Sequence, residues 1–272
     1  MRFIPKQARE GINVSDEHPL VEASTLVVGL GLIFVGIVLF LIFLVEVALY
    51  FIPVEKEVEM FEAWLPEDIT TVAPDDERLA RLESIVYRLT RHWPEAPYRF
   101  TVEIDESEEL NALAYPGGLI VVTSGLLDQV ESENELAFVL GHELGHFRNR
   151  DHMRGLGRGV LLSVLFLVIS GSEGGSDLGA TVTDLTLRGF SRKQESDADE
   201  FGLGLVQQEY GHVADAWKFF ERIDLEDAES SDLLTYLSTH PSPGDRADAL
   251  IELAAESGWL ITGDVTPIHW GE

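Results

Sequence analysis

Cysteine is absent from the 272-residue chain, which excludes disulfides and thiolate ligands, so any bound metal must be held by histidine and carboxylate side chains. Lysine is scarce, and most basic residues are arginine; the lysines are Lys6, Lys56, Lys193 and Lys218. The net charge of −29 argues against nucleic-acid binding through phosphate neutralisation. An acid-rich, lysine-poor surface is typical of proteins kept soluble in high salt, with a plain solvated face as the equal alternative.

Long hydrophobic runs are also few. The charge-free run from Ala23 to Val45 is long enough to cross a bilayer, for which about 20 apolar residues suffice. It is too long for a signal-peptide core and no small-residue cleavage site follows, so it predicts an uncleaved, single-pass anchor in the cell membrane. Basic residues precede it and acidic residues crowd its other end: Arg2, Lys6 and Arg9 before, Glu55, Glu57, Glu59 and Glu62 after. The positive-inside tendency predicts a cytoplasmic N-terminus and an exported remainder.

Composition divides the chain into four expected parts: a tail over 1–22, an anchor over 23–52, an acidic irregular linker or docking segment over 53–74, and a folded domain over 75–272. A second apolar run over 160–169 is too short to span a bilayer. It favours a buried helix over a segment dipping into the membrane surface.

Periodicity within the domain predicts helices and a few short strands. Apolar residues at helical spacing indicate a helix over 75–93, and alternation indicates a half-buried strand over 98–105. Residues 111–123 are typical of a hairpin or a bulged pair of strands around Pro116-Gly117-Gly118. Later helices are expected over 184–208, 213–223, around Leu233 and over 246–257.

A helix beginning at Ser132 carries a His-Glu-x-x-His motif. Ser132 followed three residues later by Glu135 is a capping box, in which each side chain satisfies a free backbone donor at the helix start. His142 and His146 lie one turn apart, so both imidazoles project from one side and two neutral nitrogens can share one tetrahedral Zn²⁺. Glu143 lies about 100° round the helix from His142, near enough to touch a water at the metal without binding the metal.

The alternative is that two buried histidines pair with carboxylates and hold no metal. The context favours the metal site, because the motif follows a capped start and lies in an amphipathic helix that Gly141 and Gly145 interrupt beside the histidines. Glycine costs about 1 kcal/mol in a helix interior, so two of them indicate close packing against another backbone.

A catalytic zinc ion usually takes three protein ligands and leaves the fourth position for water. The third ligand must lie outside this helix, and the sequence offers several carboxylates. Glu195 is favoured because it and Asp199 stand one turn apart on a predicted helix, with small Ala198 nearby to permit close packing. One carboxylate can bind metal while the other accepts a hydrogen bond from a ligand imidazole. Acidic pairs of this spacing are also common on solvated faces, which leaves the alternative open.

Further motifs follow in order along the chain: Asn111-Ala112, Pro116-Gly117-Gly118, Thr123 to Leu127, His142 to His146, Ser191 to Gly202, and Thr239-His240-Pro241 with Arg246. In this combination the chain closely resembles the HtpX-like and CAAX-prenyl-protease-type zinc metallopeptidases, within the gluzincins. The resemblance runs from about Asp75 to about Glu256. It implies an α+β, mainly helical zincin-like metallopeptidase domain with a small β-sheet, preceded by one N-terminal transmembrane helix.

The resemblance also implies roles for individual residues. It implies a zinc endopeptidase with one zinc ion per chain, His142, His146 and Glu195 as ligands, and Glu143 as catalytic acid and base. Asp199 matches the acidic position that supports a ligand histidine. This chain has one clear span, whereas other members have several. In this respect it resembles the single-anchored or soluble members linked to membrane-protein quality control. The implied partners are the membrane and polypeptide substrates, including misfolded membrane or envelope proteins.

The remaining candidates concern the substrate. A tetrahedral oxyanion needs a donor besides zinc, and His240 or Arg246 can supply it; a structural role at a turn and helix start is the alternative. An edge strand that pairs with extended substrate is expected from Asn111, Ala112, Leu113 and Ala114. The other histidines lack partner spacing and are expected to be structural or exposed, namely His92, His152, His212 and His269.

Two rival functions remain at the level of sequence. One is a membrane-tethered binding or chaperone module whose zinc fold is only structural, and the other is a zinc hydrolase that acts on something other than peptides. Glu143 beside all the candidate ligands disfavours an inactive scaffold.

Overall fold

The computed structural model describes residues 18–61, 72–73, 76–170, 190–225, 240 and 246–270. Residues 1–17 of the predicted tail, half of the linker, the helix around Leu233 and the residues on either side of His240 lie outside the described residues. The chain forms two compact units, 1–44 and 45–272.

Helix α1 runs from Pro19 to Phe51 and has no buried residue. Its 33 residues extend about 50 Å at 1.5 Å per residue, more than the hydrocarbon core of about 30 Å. By length and composition α1 is able to cross a membrane, as the sequence predicts.

Helix α2, Val54–Phe61, replaces the first part of the segment expected to be irregular. Glu57 in this helix is fully buried, with its carboxylate bound by Arg150 and His152. Those partners lie more than 90 residues along the chain, so a local pattern of acidic residues gives no sign of them. The structure therefore favours the docking alternative over a free linker for residues 54–61.

The remaining elements confirm an α+β domain that is mainly helical with a small sheet. In chain order they are α3 Glu77–Thr90, β1 Thr101–Asp105, β2 Ala112–Tyr115, β3 Leu119–Thr123, α4 Ser124–Gln129, α5 Glu133–Asn149, α6 Asp151–Ser170, α7 Arg192–Tyr210, α8 Lys218–Leu225 and α9 Arg246–Glu256. The apolar run over 160–169 is helical within α6 as predicted, while the burial of most of its side chains lies outside the description.

The three strands have the order β1-β3-β2, with β3 parallel to β1 and antiparallel to β2. The predicted hairpin is the β2–β3 pair, and its turn contains Gly117 at φ 88° and Gly118 at φ 98°, a backbone region that favours glycine. The amide of Val72 donates to the carbonyl of Ile104 on β1. Strand β2 lies at the other edge of the sheet, beside α5.

Helix α5 carries the His-Glu-x-x-His motif and is buried from Asn134 to Phe147. The sequence predicts one apolar face, but α3, α7 and β2 pack around the helix and bury every side of it between Asn134 and Phe147. The close packing predicted from the glycines is confirmed, because a Cβ added to Gly145 would lie 2.6 Å from Cα of Ala198. A Cβ on Gly202 would lie 2.7 Å from the backbone nitrogen of His142. The backbones of α5 and α7 therefore lie in direct contact beside His142 and His146.

The start of α5 is capped in a different way from the predicted capping box. The Ser132 side chain accepts from the Glu135 amide at 3.3 Å, as expected. The Glu135 carboxylate accepts from the Ser132 hydroxyl and the Glu131 amide, and it also pairs with Arg222. A backbone bridge between Ser132 and Pro267 brings the C-terminal segment against the same end of the helix.

Candidate active site

The two histidines of α5 point their Nε2 atoms at one buried location. These atoms lie 3.0 Å apart, and both imidazoles are almost completely excluded from solvent. Glu195, in the first turn of α7, places Oε1 3.5 Å from Nε2 of His146 and Oε2 3.7 Å from Nε2 of His142. His240 adds Nδ1 at 3.3 Å from both Nε2 of His142 and Oε2 of Glu195. Ligand atoms from these four side chains all lie within 4.8 Å of one another.

His240 holds a more central position than a substrate contact alone requires. Its Nδ1 lies in the donor cluster, while its Nε2 is 3.3 Å from the carbonyl oxygen of Ala112 and 3.8 Å from Oε1 of Glu143. The sequence picked out this histidine as an oxyanion donor. The structure adds a second option, in which His240 is a fourth ligand, and the third nitrogen, for a metal ion.

Each histidine of the motif contacts a carboxylate through its other ring nitrogen. Nδ1 of His142 lies 2.9 Å from Oδ1 of Asp199, and Nδ1 of His146 lies 3.1 Å from Oδ2 of Asp151. A carboxylate only accepts, so the tautomer with its hydrogen on Nδ1 suits both carboxylates and leaves the Nε2 lone pairs for a metal. Nδ1 of His142 has a second neighbour, Nη2 of Arg246 at 2.7 Å. Sequence reasoning found Asp199 from its spacing to Glu195 and missed Asp151. Its nearest signal is an aspartate five residues after His146, just past the end of α5.

Arg246, at the start of α9, lies against Asp199. Its Nε is 3.1 and 3.0 Å from the two carboxylate oxygens of Asp199, and its Nη1 is 3.5 Å from Oε2 of Glu195. The guanidinium also lies 4.4 Å from the ring centroid of Phe220. This position suits a residue that holds the Asp199 carboxylate in place. The oxyanion role of Arg246 stays a prediction.

Burial and neighbouring charges set the protonation of the ligand candidates. Burial, together with the charge of Arg246, lowers the pKa of His142 to about 3, which keeps this imidazole neutral. Burial alone would lower the pKa of His146, but interactions with Asp151 and Glu195 raise it to about 9. A cation held at Nε2 would take the place of that proton. Burial alone would raise the pKa of Glu195, yet the charge of His240 and contact with His146 lower it, so this side chain is a carboxylate.

Glu143 differs from Glu195 although the two carboxyl groups share one site. Burial raises the pKa of Glu143, so this group holds a proton more readily than an exposed glutamate does. Its Oε2 is buried and accepts no hydrogen bond from any described residue. A buried oxygen without a partner, next to converging metal donors, is suited to proton transfer.

The donor chemistry fits zinc, which binds imidazole nitrogen and carboxylate oxygen and needs no thiolate. The class of protein with this arrangement is the zinc metallopeptidases. Its features here are two histidines from one helix, a glutamate from a second helix and an adjacent buried glutamate with an oxygen that has no hydrogen-bond partner among the described residues.

Comparison with known proteins identifies the family within that class. A profile of peptidase family M48 matches residues 76–254, so the chain belongs to this family of zinc-dependent metallopeptidases, and the resemblance found in the motifs is confirmed.

Three relatives illustrate the match. Mitochondrial metalloendopeptidase OMA1 of Arabidopsis thaliana is 36% identical over 144 residues, or 53% of this chain and 29% of that protein. Metalloprotease LoiP of Escherichia coli is 29% identical over 197 residues, 69% of this chain and 75% of LoiP. Beta-barrel assembly-enhancing protease of Escherichia coli is 28% identical over 181 residues, 62% of this chain and 37% of that protein. The chain thus spans less than a third of the plant relative.

Proposed function

We propose that the chain is a membrane-anchored zinc metalloendopeptidase in which His142, His146 and Glu195 hold the metal ion. The observation that carries this proposal is the convergence of their donor atoms at one buried point. The Nδ1 atoms of both histidines face carboxylates, which favours the tautomer whose Nε2 lone pairs point toward that location. Relatives named as metalloendopeptidases support cleavage within peptide chains.

Glu143 is the proton carrier in this proposal. Zinc, when bound, polarises the scissile carbonyl and lowers the pKa of water toward 7. Glu143 accepts the proton of the attacking water and then donates it to the leaving amine. Burial supports both steps, because a raised pKa stabilises the protonated form that must persist between them. His240 is the candidate donor to the oxyanion, since its Nε2 faces Glu143 and strand β2.

Extended substrate is proposed to pair with the edge of the sheet along β2. The carbonyl oxygen of Ala112 lies 3.3 Å from Nε2 of His240, so β2 passes directly beside the donor cluster. The side chains of Asn111, Ala112 and Ala114 are buried and that of Leu113 is half-buried. Contact with substrate would therefore run mainly through backbone groups, which predicts cleavage with little dependence on sequence.

The biological role follows from the anchor and from the relatives. The capacity of α1 to span a membrane supports a membrane location, and one relative is named for enhancing β-barrel assembly. We propose quality control of membrane or envelope proteins as the role, with the catalytic domain outside the cytoplasm. A reporter that is active only in the cytoplasm, fused after Glu272, should then stay silent. A strong signal would reverse the orientation.

The test of the peptidase proposal is a comparison of Glu143→Gln with wild type on unfolded membrane and soluble proteins. The variant should keep its zinc and fold but lose turnover by about 10⁴-fold or more, at the upper end of general acid–base effects because Glu143 also activates the nucleophile. His240→Ala should lose about 10² to 10³-fold, the typical effect of one oxyanion donor. His212→Ala, outside the cluster, should match wild type. Equal cleavage by wild type and Glu143→Gln, with zinc in both, would assign the cleavage to a contaminant and favour the tethered chaperone.

A further inference from the structure

We propose that Asp151 is a positioning residue that aims His146 at the metal and fixes the helix start that carries Glu195. This inference rests on the proposed zinc site. It extends that site by a carboxylate outside the His-Glu-x-x-His helix and outside the Glu195–Asp199 pair.

The path of the backbone explains how Asp151 reaches His146. Arg150, the residue after α5, adopts the left-handed conformation at φ 54°, and its amide donates to the carbonyls of His146 and Phe147. The chain therefore reverses between α5 and α6, and the first residue of α6 folds back against the last turn of α5. Asp151 is fully buried there, with Oδ2 3.1 Å from Nδ1 of His146.

The second oxygen of Asp151 holds α7. Oδ1 accepts from Nε2 of Gln194 at 2.6 Å. The Oε1 atom of the same glutamine accepts from the Ser191 amide at 3.0 Å in the capping box that begins α7. An amide proton can only be donated, so the oxygen of Gln194 must face Ser191 and its NH₂ group must face Asp151. Glu195 is the next residue, so one carboxylate fixes the direction of His146 and the helix turn that presents Glu195.

The simpler interpretation is that Asp151 serves as a partner for Arg154, three residues later. That contact is 3.3 Å long, and the side chain of Arg154 is 36% exposed, whereas the side chain of Asp151 is completely buried. An exposed partner one turn away does not require a fully buried carboxylate. The two shorter contacts, a buried one with His146 and a partly buried one with Gln194, account for its position better.

The experiment measures metal affinity on the full chain in detergent, with Zn²⁺ or Co²⁺ alone as the probe and a chromophoric chelator as competitor. Asp151→Ala should weaken Zn²⁺ binding by about 10 to 100-fold, the usual effect of removing the acceptor behind a ligand histidine. Asp151→Asn should recover part of the affinity, because one amide oxygen can serve His146 or Gln194 but not both. The visible spectrum of bound Co²⁺ should change in both variants. Asp197→Asn is the matched control, since Asp197 pairs with Lys193 on the exposed side of α7 and should leave affinity unchanged.

A merely structural Asp151 would give a different pattern, with lower melting temperatures but wild-type Zn²⁺ affinity and an unchanged Co²⁺ spectrum in the folded variants. That pattern overturns the inference. If Asp151→Ala does not fold, the near-isosteric Asp151→Asn decides by the same two measurements. Failure of the proposed function shows separately, as a wild-type chain that binds Zn²⁺ but cleaves no polypeptide.

Discussion

Two buried groups of imidazole and carboxylate side chains lie near the C-terminal end of α5, and they serve different ends. One is the metal-donor cluster of His142, His146, Glu195 and His240. The other, the Glu57 cluster, consists of Glu57, Tyr98, Arg150 and His152. Both contain glutamate and histidine at almost no solvent exposure.

The Glu57 cluster contains its own cation. Oε2 of Glu57 accepts from Nη2 of Arg150 at 2.9 Å and from the Tyr98 hydroxyl at 3.2 Å, while Oε1 lies 2.6 Å from Nε2 of His152. Arg150 also donates to the carbonyls of Leu49 and Ile52, which follow the apolar run. The carboxylate is thus satisfied from all sides, and the cluster fastens residues 49–57 to the end of α5.

In the metal-donor cluster, the lone pairs of His142 and His146 face each other and the Glu195 carboxylate. The guanidinium of Arg246 pairs with Asp199, and its Nη2 lies 2.7 Å from Nδ1 and 3.2 Å from Nε2 of His142, at the edge of the cluster. Such converging donors suit a cation between them, whereas the Glu57 cluster has no such need. Residue types therefore do not separate a metal site from a buried ion pair, and the directions of the donor atoms do.

The largest effect is expected from a substitution that disrupts the metal-donor cluster and leaves the Glu57 cluster intact. Wild type should contain one zinc ion per chain, and His146→Ala should lose it together with at least about 10³-fold in activity, because zinc supplies several kcal/mol of transition-state stabilisation. His152→Ala removes a histidine that is equally buried but directed at Glu57, and it should keep one zinc ion. Metal analysis of the purified chains measures both. Full zinc occupancy in His146→Ala and in Glu195→Ala would remove this site from consideration.

A smaller effect should follow from Glu57→Gln. This change leaves the Arg150 guanidinium without its carboxylate, and breaking a buried ion pair costs about 3 to 5 kcal/mol. We expect a loss of about 3 kcal/mol in the free energy of unfolding, because Arg150 is 17% exposed and water screens part of its charge. Zinc content per folded chain should not change.

Urea unfolding of the full chain in detergent measures that loss. Glu59→Gln is the matched control on the same helix, since its side chain is 67% exposed and such changes usually lie within about 0.5 kcal/mol. A loss for Glu57→Gln no greater than that of the control would show that α2 is not fastened by this cluster.

The smallest expected effect is the pH dependence of the stability that the Glu57 cluster contributes. Burial alone would raise the pKa of Glu57, but His152 and Arg150 lower it below its usual value. A carboxyl group with a lowered folded-state pKa stabilises the fold fully above its unfolded pKa of about 4.3 and loses that contribution as the pH falls. The difference in unfolding free energy between wild type and Glu57→Gln should therefore be constant between about pH 6 and about pH 7. It should shrink as the pH falls below about 4.3. A difference that widens with acid would contradict this sign.

Much of the fold and site was predictable where the signal is local. The anchor, the cap at Ser132, the β2–β3 hairpin and the glycine contacts between α5 and α7 follow from periodicity, turn residues and side-chain size. The spacing of His142 and His146 fixed their common side because helix geometry alone sets it. The ends of the helices were predicted less accurately. Helix α8, for example, begins at Lys218, whereas the sequence pattern predicts a start at residue 213.

The sequence by itself determined which side chains can bind a metal, since the motif, the absence of cysteine and the acidic pair restrict the donors to a few histidines and carboxylates. Only the tertiary structure decided that His240 joins the donor cluster, that Asp151 contacts His146 and that Glu57 forms a buried ion pair with Arg150. His240 lies 98 residues from His142, and Glu57 lies 93 from Arg150. Contacts at such separations depend on how helices pack and where the chain reverses, as at Arg150, and no local pattern encodes them.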